Sequence, residues 1–230
     1  MQFSISEEIF ESFPETRIGV IVATDMCNEG SENVIHELLE NIQLETKSRF
    51  DIETLTNHPA IAVWRNAYSS FGSKPRDFRS SIESLVRSVL NGRDIRHINK
   101  LVDVYNYVSL KYAIPVGGED LDKTSGNLYL KFSNGSEKFI PLGSDREDNT
   151  YKGEVIYCDD GGNVLCRRWN WRESNLTKLT ETTKNSIVVA EGFDETVEKA
   201  LEELAYLIEK FCSAKTQKFV ANKNNRSIEW

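Results

Sequence analysis

Two kinds of hydrophobic spacing meet near Pro115, and that change limits most strongly what this chain can fold into. Before it, apolar residues recur at helical intervals. Val34, Ile35, Leu38, Leu39 and Ile42 predict a helix from Ser31 to about Arg49. Ile61, Val63, Trp64, Ala67 and Tyr68 predict a second, starting near His58-Pro59. Gly72 and Pro75 then break the pattern, a third helix is expected from Asp77 to Leu90, and a fourth from about Ile98 to Tyr112. After Pro115 the apolar runs are short and β-rich. Gly126 to Leu142 reads as a hairpin turning at Ser133-Asn134-Gly135, GEVIYCDDGGNVLCRRW as another, and SIVVAEG as a further strand.

Four segments complete the outline. SISEEIFESFP predicts a short capped helix ending at Pro14, and RIGVIVATDM (Arg17 to Met26) has the almost unbroken apolar character of a buried strand. Asp194 to Cys212 carries Val197, Leu201, Leu204, Ala205, Ile208 and Phe211 on one stripe, as an amphipathic helix does. The Lys- and Asn-rich residues from Ser213 read as loosely ordered. Helices first and strands later point to an α+β fold and away from a doubly wound sheet. The expectation is one domain over 1–230. Its helical N-terminal part with one strand (1–97) packs on a mostly antiparallel β core with a closing helix (98–212), followed by the tail (213–230).

Composition narrows the function. The net charge of −8 argues against a protein that coats nucleic acid, and no DNA partner is expected. Basic residues nevertheless gather between Trp64 and Lys100: Arg65, Lys74, Arg76, Arg79, Arg87, Arg93, Arg96 and Lys100 against Asp77, Glu83 and Asp94. Such a zone can guide a polyanion to one face, or be the solvated side of two helices packed on the acidic N-terminal segment. Cys27, Cys158, Cys166 and Cys212 form no CxxC pair, and the three histidines form no HExxH, so no metal or cofactor is expected. No apolar run approaches a membrane span and the N-terminus does not read as a signal peptide, so a cytoplasmic protein is expected. Phosphate-binding loops and nucleophile elbows are missing.

Three stretches remain chemically unusual. In LVDVYNYVSLKYAIPVGGEDLDK, Gly117-Gly118 can turn sharply or let a ligand approach the backbone, with Glu119, Asp120 and Asp122 directly after. It is either a helix end with a polar loop or the rim of a pocket. CRRWNWRES concentrates guanidinium and indole groups, suited to phosphates and to stacking or packing. As a strand it would put Arg168, Asn170 and Arg172 on one face and Arg167, Trp169 and Trp171 on the other. In TKLTETTKNSIVVAEG, Glu191 ends an apolar strand, where a carboxylate can be partly buried and poised.

These stretches also carry a resemblance. VDVYNYV (Val102 to Val108) is similar to the VDVTNYV element of the B3/B4 domain in the β subunit of phenylalanyl-tRNA synthetase. Ile114-Pro115 followed by GGEDLDK resembles that family's QPLHAFDLDK, and SEKFIPLG its GEKL..LDG. VLCRRWNWRES is similar in position to its GxMGG strand, and TKNSIVVAE to its closing strand, with Glu191 at the terminal carboxylate. The likeness runs from about Asn99 to Phe193. WRNAYSSFGSKPRDFRSSIE adds a likeness to stand-alone members of the family.

The resemblance implies a B3/B4-like core and a role with tRNA, since in the synthetase this domain hydrolyses misattached tyrosyl-tRNA. Glu191 matches the pocket carboxylate. Tyr105 stands where the family has Thr, Gly117 where it has the editing His, and Asn170-Trp171 where it has paired glycines, so the pocket is not a copy of the tyrosine site. The leading expectation is an RNA-associated module that binds tRNA or its aminoacyl end without aminoacylation. The alternatives are a trans-acting hydrolase of mischarged tRNA and a protein that binds a free amino acid or another small molecule. Glu191 and Asn170 are the candidate catalytic pair. Lys100, Asn106, Gly117, Gly118, Arg168, Trp171 and Arg172 are the candidate substrate- or RNA-binding residues.

Overall fold

The computed structural model describes residues 1–230. The chain opens with β1 (Gln2–Ile5), α1 (Glu7–Ser12), β2 (Arg17–Thr24), α2 (Asn33–Arg49), α3 (Pro59–Ser70), α4 (Ser81–Leu90) and α5 (Lys100–Tyr112). The β-rich part follows, with β3 (Val116–Asp120), β4 (Leu128–Phe132), β5 (Lys138–Phe139), β6 (Asp148–Asn149), β7 (Val155–Asp159), β8 (Val164–Arg167), β9 (Arg172–Glu173) and β10 (Ser186–Gly192). Helix α6 (Thr196–Cys212) and strands β11 (Lys215–Ala221) and β12 (Ser227–Glu229) close it. The fold is α+β.

Two sheets do the structural work. A six-stranded sheet has the order β12-β1-β4-β7-β8-β9, and a four-stranded one the order β11-β2-β10-β3. Pairing is antiparallel except between β1 and β4. Strand β2 is buried along its length because β10 and β11 flank it and α6 covers one face, so the continuous run Ile18 to Ala23 needs no polar side. Gly19 leaves room for α6: a Cβ there would meet Leu201 and Val197 side-chain atoms at 3.1 Å. One cluster of 52 buried apolar residues runs through both sheets and all six helices.

Several sequence expectations need correction. The opening residues form β1 before any helix, because Phe3 and Ile5 alternate into the core. Helix α4 begins at Ser81, four residues later than Asp77, since the Ser80 hydroxyl caps it by accepting from the Glu83 amide. Gly126 to Leu142 is not a hairpin. Strand β4 pairs with β1 and β7, and β5 pairs with β6. Glu137 accounts for this: its carboxylate turns into the connecting loop, accepting from Ser133 Oγ (2.6 Å), Lys131 Nζ (2.9 Å) and the Asn134 and Gly135 amides (3.2 Å each). A side chain that closes its own loop pulls its strand off the ladder. The residues from Ser213 are ordered as edge strands, β11 beside β2 and β12 beside β1.

Candidate functional site

The two sheets face each other across a narrow cavity with a free volume of about 40 Å³. The four-stranded sheet contributes Val116, Gly117, Gly118 and Glu119 from β3 and Ile187, Val189 and Glu191 from β10. The period-two alternation of β10 puts those last three on one face, leaving Val188 and Ala190 on the other. The six-stranded sheet contributes Phe3, Leu128, Tyr157, Leu165, Cys166 and Glu173, and the wall is completed by Trp169, Asn170 and Ser81.

Glycine at 117 and 118 is a matter of space. Both lie within β3, so of the two alternatives the sharp turn is not the one taken, and neither has a positive φ. A Cβ on Gly117 would lie 2.8 Å from Glu173 Oε1, and one on Gly118 would lie 2.9 Å from the Ile187 carbonyl oxygen. The first glycine admits the Glu173 carboxylate; the second lets β3 sit against β10.

Arg168 to Trp171 form a tight loop, where sequence alternation had suggested a continuous strand. Arg168 and Trp169 take left-handed backbone conformations (φ 47° and 66°), at a cost of about 1–2 kcal/mol for each non-glycine residue. Packing offsets it. Trp169 is fully buried, with ring centroids 5.0 Å from Phe13, 5.3 Å from Trp64 and 5.9 Å from Phe193. Holding Trp169 there aims Asn170 into the cavity.

The polar chain that results is continuous. Tyr68 donates to Asn170 Oδ1 (2.9 Å), Asn170 Nδ2 donates to Glu191 Oε2 (2.9 Å), and Tyr157 donates to Glu191 Oε1 (2.5 Å). Glu191 is 2% exposed, and burial pushes its pKa up to about 7 against the lowering effect of the Tyr157 and Asn170 hydrogen bonds. Glu119 and Glu173 bring two more carboxyls together. Burial, then the charge of Glu173, drives Glu119 well above the usual carboxylate range, although Thr177 donates to it at 2.5 Å. Burial also raises Glu173, whose Oε2 has no hydrogen-bond partner. Two buried carboxyls in contact are most stable sharing a proton. Burial pushes the Cys166 thiol well up as well, so it is a poor nucleophile. No group of His, Cys, Asp or Glu side chains is placed to hold a metal ion.

Of the residues singled out in the sequence, Glu191, Asn170, Gly117 and Gly118 converge on this cavity. The others do not line it. Arg168 is buried, its guanidinium 3.6 Å from the Phe78 ring centroid and 3.3 Å from Glu154 Oε2. Arg167 is buried too, donating to Glu154 (2.9 and 3.2 Å) and to Asp148 (2.6 Å). Neither guanidinium is presented on an open surface. Trp171 is half-buried, edge-on to Phe78, and Arg172 is exposed, donating to the Leu142 carbonyl at 3.0 Å. Lys100 is buried with Nζ 3.9 Å from Cys27 Sγ, and Asn106 is half-buried on α5. Sequence reasoning passed over Glu173, Tyr157 and Tyr68 as site residues. Their strands and helix were legible, but no local pattern says which side chains meet across two sheets.

This architecture, two sheets enclosing a carboxylate-rich cavity with the first residue of α4 in its wall, defines an α+β pocket domain. The B3/4 domain family model matches residues 63–223, so the chain belongs to the B3/4 domain family. Among curated proteins it is similar to the phenylalanine–tRNA ligase beta subunit of Leifsonia xyli subsp. xyli, 30% identical over 100 residues, which is 44% of this chain and 12% of that protein. The beta subunit of Fusobacterium nucleatum subsp. nucleatum is 29% identical over 121 residues, 52% of this chain and 15% of that one. The aligned stretch is thus less than a sixth of either relative's length. Among solved structures, an N-terminal fragment of the phenylalanyl-tRNA synthetase beta subunit from Pyrococcus horikoshii matches 96% of this chain and 54% of that one, at 15% identity and a TM-score of 0.47.

Proposed function

We propose that this protein is a tRNA-synthetase-like B3/4 module whose cavity receives the aminoacyl end of a tRNA, and that it does not itself aminoacylate. The observation that carries this reading is the placement of Glu191, fixed between Tyr157 and Asn170 where both sheets meet. A carboxylate oriented by two donors can accept from an ammonium or hydroxyl group of a bound amino acid. The narrowness of the cavity favours a small aminoacyl group. The test is binding of aminoacylated against deacylated tRNA, measured for the wild type and Glu191→Ala. The wild type should prefer aminoacylated tRNA, and the variant should lose that preference while keeping its affinity for deacylated tRNA. Equal affinities for the two tRNAs in the wild type would refute the assignment.

One observation favours a second reading, hydrolysis of the aminoacyl ester. A carboxyl titrating at about 7 is matched to taking a proton from water at neutral pH. Glu191 would then orient and deprotonate a water that attacks the ester carbonyl, releasing the amino acid and the tRNA 3′ hydroxyl. Steady-state deacylation of a panel of mischarged tRNAs decides between the readings. Turnover lost in both Glu191→Gln and Asn170→Ala would establish the enzyme; turnover at background for every pair leaves the binding module.

A further inference from the structure

We propose that the outer face of α4 is the track along which the phosphates of a single RNA strand reach the cavity, an inference that rests on the tRNA reading above. Helix α4 touches the cavity at its first residue: Ser81 lines it, and the Ser81 amide donates to the Asn170 carbonyl at 3.0 Å. Leading away from that point, Arg79, Ser84, Arg87, Ser88, Asn91 and Arg93 line one open groove that includes no apolar residue and no carboxylate. On a chain of net charge −8, an all-polar groove with three arginines is a local exception that attracts polyanions while the rest of the surface repels them.

Two of the three groove guanidiniums also neighbour a buried carboxylate. Glu83 is fully buried beneath the groove, bonded to Arg65 and Arg87 at 2.9 Å and 3.8 Å from Arg79. One carboxylate thereby holds Arg87 and lies beside Arg79 in the groove, while its other bond goes to Arg65 outside it, and Arg93 has no carboxylate within the 4.0 Å of a salt bridge. Guanidinium forks interleaved with hydroxyl and amide donors are the chemistry of phosphate recognition. The absence of apolar lining argues against a hydrophobic peptide. At ten residues, α4 is about 15 Å long, the reach of a few nucleotides and short for a duplex. These side chains occupy the role that sequence reasoning gave to Lys100, Arg168 and Arg172.

The experiment is binding of deacylated bulk tRNA, and of the tetranucleotide ACCA, across a salt series. It compares wild type, Arg79→Glu/Arg93→Glu, and a control with the same charge change on β11, Lys215→Glu/Lys218→Glu. Both groove residues are exposed, and Arg87, which Glu83 holds, stays intact. The groove variant should bind tRNA at least about tenfold more weakly, and its slope of log K against log salt should fall by about one to one and a half. The β11 variant should stay within about twofold of wild type. Equal losses in both variants, or none in the groove variant, would overturn the track while leaving the tRNA reading intact. A wild type that binds no tRNA even at low salt would overturn both. Binding of polyglutamate in place of tRNA would assign the groove to an acidic protein.

Discussion

Glu191 couples this fold to pH. Its carboxyl has a pKa near 7 when folded and an ordinary value, close to 4.5, when unfolded, because burial penalises the charge. A raised folded pKa means the folded state holds the proton more tightly. Its contribution to stability is therefore fully present below about pH 4.5 and is lost as pH rises through 7. The difference corresponds to roughly 3 kcal/mol at most. Urea unfolding at pH 5 and pH 8 should show wild type losing about 2–3 kcal/mol more than Glu191→Gln over that interval. Matching losses would mean that the carboxyl is not buried as described. A second residue-scale prediction separates the paired glycines. Gly118→Ala should cost about 1–3 kcal/mol, because its Cβ meets a ladder carbonyl that cannot move. Gly117→Ala should cost less, since the Glu173 side chain it meets can swing aside. Equal midpoint shifts in urea would refute the distinction.

At the scale of elements, the sequence was legible wherever one pattern ruled one segment. The buried strand β2, the helices α2, α3, α5 and α6, and the β7–β8 hairpin stand within a few residues of where periodicity and turn chemistry put them. It was not legible where a side chain overrode the local pattern. Glu137 dismantled an expected hairpin, and the pull of Trp169 into its aromatic cluster replaced the alternation of CRRWNWRES with a left-handed loop. The candidate site followed the same rule. Glu191 and Asn170 were singled out because their segments are unusual and carry the family resemblance, and both line the cavity; Tyr157, and Glu173 even within CRRWNWRES, stand out only through partners far away in sequence. The tail was misjudged because β11 carries exposed Lys and Gln on an edge strand, where polar residues guard against unwanted pairing. Truncation after Cys212 should expose the ladder of β2 and remove one of the two partners of β1. The shortened chain is expected to lose several degrees in Tm and to form oligomers by size-exclusion chromatography. An unchanged monomer of unchanged Tm would show that β11 and β12 are dispensable.

Across the whole molecule, two groups of ionisable side chains lie on either side of the start of α4. Outside, the groove along α4 presents Arg79, Arg87 and Arg93, with the buried Glu83 beside the first two; inside, three carboxyls gather where two sheets meet. The first arrangement suits a polyanion and the second an amine, and Ser81 and Asn170 join them. The cavity walls belong to sheets that share no hydrogen-bonded ladder, so the space between them can widen without breaking either sheet, at the cost of the Tyr157–Glu191 hydrogen bond that crosses it. At about 40 Å³ it holds a few waters and is far below the few hundred Å³ of common ligand pockets. An occupant the size of an amino acid has to wait for the sheets to part. Its observed association rate should therefore level off as its concentration rises, at a ceiling set by how often the two layers breathe.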